Sequence, residues 1–273
     1  MSVTRRGFLS LLGTLPMLGP ARAAVAAANA IEPRHVLCFL CGDAKAHARL
    51  VAGLSTAIAA GARGFEIDET YSLTEADPRM ADSFAVCRDR VAPNAWSADD
   101  ERAVANHGSV VYVLGPRMAA DSAVATSATA LTLVDSAIAA GAVAVKGESA
   151  GVAHGIVRWR RLIAQAAAAS ARRDVHALRE ACRLAFAKRP LRGEEYLESV
   201  GFHLVGLPEV YVGNGYPSER AATAFMDVVA NELSREPIAR VLEKHGGRLT
   251  FESAYAQDDF KYNPYGCVQI DGA

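Results

Sequence analysis

The sequence predicts a mixed α/β (α+β) fold: a mixed sheet with a parallel core, helices packed on it, and a more antiparallel C-terminal part. Three observations lead there. Apolar strand-like runs alternate with Ala-rich helical segments up to about residue 170, the grammar of parallel strands joined by right-handed crossovers. Beyond that point two strands follow almost back to back, which favours antiparallel pairing. Finally, 273 residues at 51% hydrophobic and 22% charged content can bury a sizeable core. Residues 24–273 then form one domain or two closely packed lobes, 24–170 and 171–273.

Each element has a local reason. His35 to Cys41 is a continuous apolar run, and Asp43 suits the N-cap of a helix from Ala44 to Ala60, stopped by Gly61. Gly64 to Asp68 alternates as a short strand, and from Glu69 to Ala95 periodicity fades. Ser97 with Asp99, Asp100 and Glu101 opens a short helix whose acidic first turn suits the helix dipole and which ends near Gly108. Strand Ser109 to Leu114, helix Ala119 to Ala140, strand Ala142 to Lys146 and helix Gly151 to Ala169 come next. A charged helix from Asp174 to Lys188 stops at Pro190. Strands Val200 to Val205 and Glu209 to Gly213 flank Gly206-Leu207-Pro208. The helix from Ser218 to His245 should kink or split near Arg235, because Pro237 lacks an N–H and clashes with the preceding turn. Strands Arg248 to Ala254 and Gly266 to Asp271 close the chain around Asp258-Asp259.

The formal net charge of −1 gives no electrostatic reason to expect nucleic acid or an anionic membrane surface as a partner. Thr4-Arg5-Arg6-Gly7-Phe8-Leu9-Ser10 resembles the twin-arginine export motif, with Arg5 and Arg6 as its pair. The apolar stretch from Phe8 to Leu18, broken by Gly13 and Pro16, falls far short of the roughly 20 residues that a spanning helix needs. Ala21-Arg22-Ala23 has the small-x-small pattern of a cleavage site, so residues 1–23 read as a signal peptide and the destination as the periplasm, with no membrane association after processing. Cleavage there leaves 26 of the 29 basic residues against 30 acidic ones, a net charge of −4. The five cysteines, Cys38, Cys41, Cys87, Cys182 and Cys267, are an odd, irregularly spaced set and do not form a disulfide framework. Cys38 and Cys41 match C-x-x-C, but within a strand residues three apart face opposite sides, so both read as small apolar residues.

The densest placement of polar groups is Gly147-Glu148-Ser149-Ala150-Gly151, followed by His154. It satisfies G-x-S-x-G between a predicted strand and a predicted helix, and so resembles the nucleophile elbow of α/β-hydrolases, which would make Ser149 the nucleophile with His154 nearby. That resemblance lacks parts: no Gly-rich oxyanion loop precedes Ser149, and the last histidine, His245, ends a helix instead of following the final strand. Glu148 and Ser149 equally suit the capping of a helix N-terminus.

A second resemblance covers roughly Ser109 to the C-terminus. Val145-Lys146-Gly147-Glu148-Ser149-Ala150-Gly151-Val152-Ala153-His154, with Trp159, and later Ser199-Val200-Gly201-Phe202-His203-Leu204-Val205-Gly206-Leu207-Pro208-Glu209-Val210, resemble an uncharacterised bacterial α/β domain family, a domain of unknown function. The resemblance implies no activity; it makes Glu148, His154, His203 and Glu209 the polar groups to follow. Two histidines and two carboxylates could in principle hold zinc, but no H-E-x-x-H or C-x-x-C pair at ligand spacing supports a metal, and no cofactor motif is visible. The sequence therefore leads to an exported binding or interaction module for a small molecule or protein partner, acting through a pocket at the Glu148 turn, with the two segments expected to converge and bring that turn near His203 or Glu209, and with a Ser149 hydrolase as the alternative.

Overall fold

The structure is a computed structural model, described over residues 32–193, 195–251 and 262–271. Its first sheet contains β1 (Arg34–Cys41), β2 (Glu66–Leu73), β3 (Ser109–Arg117), β4 (Ala144–Gly147) and β5 (Val152–His154) in the order β2-β3-β1-β4-β5. Every neighbouring pair in it is antiparallel. The second sheet contains β6 (Lys188–Arg192), β7 (Tyr196–Val200), β8 (Glu209–Gly213), β9 (Arg248–Thr250) and β10 (Cys267–Ile270) in the order β6-β7-β8-β10-β9. Its central pair, β8 and β10, is parallel.

The expected placement of a parallel core in the first part and a more antiparallel second part is thus corrected: the parallel strands lie in the C-terminal sheet. The physical reason lies in the crossovers. Helix α1 (Ala44–Gly61) carries the chain from β1 to β2, and the later helix α4 (Ala123–Ala139) carries it from β3 to β4. Each crossover joins strands that run in the same direction, but each skips one position. The other pair fills that position in the opposite direction, giving the split β-α-β-β-α-β arrangement.

Strands β1, β3 and β4 of the first sheet are largely buried on both faces, with side chains alternating between two cores, while the edge strand β2 is exposed or half-buried along its length. Leu37, Phe39 and Cys41 of β1 share one core with Val111, Val113 and Val145, while Cys38 and Leu40 share another with Val110 and Ala144. Helices α1, α4 and α5 (Ile156–Ala171) cover the first face; the short helices α2 (Met80–Cys87) and α3 (Ala98–Ala105) cover part of the second. Residues 69–95, where sequence periodicity failed, hold the end of β2 and all of α2. The first core continues through α6 (Val175–Phe186) into the second sheet, reaching Val200, Val210 and Val268 and α7 (Glu219–Leu233).

Several local expectations hold. The Asp43 carboxylate accepts from Ala46 N, and Ser97 and Asp100 form a reciprocal capping box at the start of α3. The long helix splits at Pro237 into α7 and α8 (Ile238–His245). Others need correction. The predicted strand Val200 to Val205 ends at Val200 as the close of β7; Gly201, at φ 110°, then turns the chain into a 3-10 helix over Phe202–Val205. The helix expected to reach Lys188 stops at Phe186, and Lys188 begins β6. Part of the predicted strand Arg248 to Ala254, and Asp258-Asp259, lie outside the described residues, as does the whole proposed signal peptide. Among the described residues no helix is long and apolar enough to cross a membrane.

Candidate functional site

The Gly147–Gly151 turn does not lead into a helix. It links β4 to β5 as a hairpin, with Lys146 opposite Ala153 and Gly147 opposite Val152. Helix α5 begins only at Ile156, because the edge strand β5 consumes residues 152–154 first. Its start is fixed from a distance: Gly155 N donates to Ala95 O, and Asp100 Oδ1 accepts from Ile156 N at 3.0 Å. A side chain at Gly155 would collide with that carboxylate, 2.3 Å from the position of an added Cβ.

Ser149 is buried, and its hydroxyl is committed to backbone. Oγ donates to Arg34 O and accepts from Val36 N, both at 2.8 Å. These two bonds span the point where the β1–β3 register shifts, between Arg34 and Val36, and give partners to backbone groups that the ladder leaves over. Glu148 N completes the joint by donating to Val36 O at 2.8 Å. The serine therefore fastens the start of β1 to the Glu148 turn.

On the second face of the sheet, the strand registers align Asp68, Tyr112, Cys38 and Lys146 in one row across four strands. Lys146 is fully buried, yet its ammonium has partners on every side. Nζ lies 2.6 Å from Glu148 Oε1, donates to Ser83 Oγ, and sits 5.2 Å from the centre of the Phe84 ring. Tyr112 OH is 3.4 Å from the same Glu148 oxygen. Burial drives the Cys38 thiol up to about 12 against the opposing pull of Lys146, so it stays protonated. Burial likewise raises Tyr112, helped by Cys38 and Glu148.

Helix α2 does not cover the whole of this face. Beyond it lies an open groove of about 570 Å³, lined by Arg34, Val36, Asp68, Tyr71, Arg79, Met80, Ser83, Tyr112, Leu114 and Glu148. Its volume falls in the range of small-molecule sites, and it combines an apolar floor with a few convergent polar groups. Arg79 is already held by Asp77 through two bonds, Nε to Oδ1 at 2.9 Å and NH2 to Oδ2 at 2.6 Å. Arg34 has only Glu66, at 3.9 Å, and its Nε has no hydrogen-bond partner.

The other sequence-derived residues lie elsewhere. Glu209 is buried in the second sheet, where Oε1 accepts from Gly201 N, Phe202 N, His203 Nδ1 and Asn263 Nδ2 at 2.9–3.0 Å, and Oε2 accepts from Ser199 Oγ at 2.6 Å. Burial alone would raise the carboxyl of Glu209; the His203 bond and charge, with Ser199 and Asn263, outweigh it and hold it below the ordinary value. His154 stands edge-on to Trp159, its Nε2 3.1 Å from Ala185 O and its Nδ1 3.5 Å from Asp89. Burial lowers its pKa, against the opposing charge of Asp89. His245 bonds Glu232 at 2.6 Å.

The two segments that were expected to converge do so through backbone and small side chains. An added Cβ at Gly201 would lie 2.7 Å from Ala150 Cβ, so only glycine allows the turn to pack against the loop before His203. Their polar side chains part company: Glu148 faces the groove, while His203 and Glu209 bond to each other inside the second sheet. Sequence reading missed Arg34, Asp68, Tyr112 and Lys146. The available signal was period-two alternation, which places Lys146 on the same face as Ala144 and Tyr112 on the same face as Val110. Compared with known proteins, the chain matches no family model, no curated sequence and no solved structure. The family resemblance thus rests on the quoted residues alone.

Proposed function

We propose that this chain is a binding protein, exported by the twin-arginine route to the periplasm, whose groove beside the Glu148 turn receives a small molecule. The observation that carries this reading is the groove itself: Arg34, Asp68, Tyr112 and Glu148, from three strands and a hairpin turn, meet at one open cavity of about 570 Å³. Binding is favoured over acyl transfer because Ser149 gives its proton to a backbone carbonyl, whereas an activated serine needs a base at that position. The reading is tested by thermal-shift screening of the purified protein against a library of small metabolites, with Leu114→Trp, which fills the groove from its floor, as the control. Hits that raise the melting temperature of the native protein and lose that effect in a folded Leu114→Trp variant support the reading; hits indifferent to the substitution, or none, contradict it. Export rests on Arg5 and Arg6. Replacing both with Lys should hold the precursor in the cytoplasm, and normal appearance of mature protein in the periplasm would refute the route.

A further inference from the structure

Beside the hairpin turn, two charged groups that line the groove keep bonding capacity that the fold does not use. Arg34 is one: its Nε is buried without a partner, and its nearest carboxylate, on Glu66, is 3.9 Å away. Arg79 differs, since Asp77 occupies its fork. Glu148 is the other: Oε1 takes Lys146 and Tyr112, and Oε2 accepts no bond. The two groups are not paired with each other, although both lie on the same sheet face where β1 meets the hairpin turn. Glu148 N bonds Val36 O and Ser149 Oγ bonds Arg34 O, so backbone contacts fix their relative position before any ligand arrives. Diagonal neighbours on a sheet stand about 7–8 Å apart, a gap that a compact ligand can bridge. Asp68 lies on β2, the strand of Glu66, and its Oδ1 already accepts from Thr70 N and Tyr71 N. Val36, Leu114 and Met80, with the rings of Tyr71 and Tyr112, supply the apolar surface around them.

We infer that the groove takes a small carboxylic acid with an apolar body and a hydrogen-bond donor, amine or hydroxyl, beside its carboxylate. The carboxylate sits on the Arg34 fork, where planar bidentate bonding is available. The donor meets Glu148 Oε2, and the apolar body lies against Leu114 and Tyr112. Lys146 acts from below as a positioning residue that holds Glu148 toward the ligand. This assignment rests on the groove being a binding site, as proposed above.

The test measures dissociation constants of the purified protein for four probes. L-Phenylalanine and L-3-phenyllactate carry both groups, L-phenylalaninamide lacks the carboxylate, and 3-phenylpropionate lacks the donor. Tighter binding of phenylalanine or of phenyllactate identifies the donor as amine or hydroxyl. The amide and the propionate should each bind at least tenfold more weakly than the better of the two. Arg34→Gln should weaken the acid at least tenfold and leave the amide unchanged. Glu148→Gln should weaken the better acid and leave 3-phenylpropionate unchanged. Arg34→Lys, which keeps the charge and loses the fork, should fall between, and circular dichroism melts confirm that each variant is folded. Equal affinity for all four probes, losses that ignore Arg34→Gln, or no binding of any probe would overturn the inference. If groove-dependent hits exist in the metabolite screen while all four probes fail, only the ligand class is wrong; if both fail, the binding reading falls with it.

Discussion

The hydroxyl of Ser149 donates to the carbonyl of Arg34 at 2.8 Å, joining two residues 115 positions apart in the chain. This bond ties the centre of the Gly147–Gly151 turn to the first residue of β1, and with it places Glu148 and Arg34 at one groove. Ser149→Ala leaves a buried carbonyl and a buried N–H without partners, so it should cost about 2–3 kcal/mol of stability in urea titration. Native protein should remain unlabelled at Ser149 by a fluorophosphonate probe; stoichiometric labelling that disappears in the alanine variant would make Ser149 a nucleophile.

Lys146 and Glu148 form a buried-to-groove ion pair whose cation has no route to water. Lys146→Met leaves Glu148 without its partner and removes the contact to Phe84, so a loss of about 3 kcal/mol or more is expected. In a Glu148→Gln background the same change should cost clearly less, because the pair is already broken. Additive losses in this double-mutant cycle would show that the two charges do not act together.

Glu209 gathers six donors from Ser199, the loop at Gly201, His203 and Asn263. Glu209→Gln turns an all-acceptor group into one that presents an N–H to those donors. It should destabilise the protein by about 3 kcal/mol or more, read as a shifted denaturant midpoint at unchanged slope. A shift within about 0.5 kcal/mol would deny that this carboxylate organises the second sheet.

Acid should weaken the fold through His35. Burial, and then the nearby His203, lower its pKa from 6.5 to about 3, and its Nε2 meets Ser127 Oγ at 2.8 Å. Between those two pH values the unfolded chain binds a proton that the folded chain refuses. Stability is therefore complete above about pH 6.5 and falls as the pH drops toward 3, by up to about 1.4 kcal/mol per pH unit. His154, lowered by burial, acts in the same direction. His35→Gln should flatten the slope between pH 4 and 6.5; an unchanged slope would remove His35 as its source.

What the sequence made legible follows from how local each cause is. The helix start at Ser97, the N-cap at Asp43 and the break at Pro237 depend on residues a few positions apart, and all three appear as expected. Sheet direction depends on which strand fills the gap skipped by a crossover, so the antiparallel first sheet could not be read from strand and helix alternation. β5 has three residues, too few for periodicity to separate it from the Ala-rich helix that follows. The Glu148 turn was legible as a dense polar turn, but its partners were not. Arg34 reaches it through a bond from Ser149, and Tyr112 lies two strands away from Lys146 in the sheet. Such cross-strand neighbours exist only once the register is set.

Whether the groove lined by Arg34, Tyr112 and Glu148 binds a small molecule can be read from crystals of the purified protein soaked in a library of small polar fragments. Bound fragments should concentrate in this groove, with a carboxylate on Arg34 and a donor on Glu148. Fragments gathered at other surfaces, with the groove left empty across the library, would contradict it.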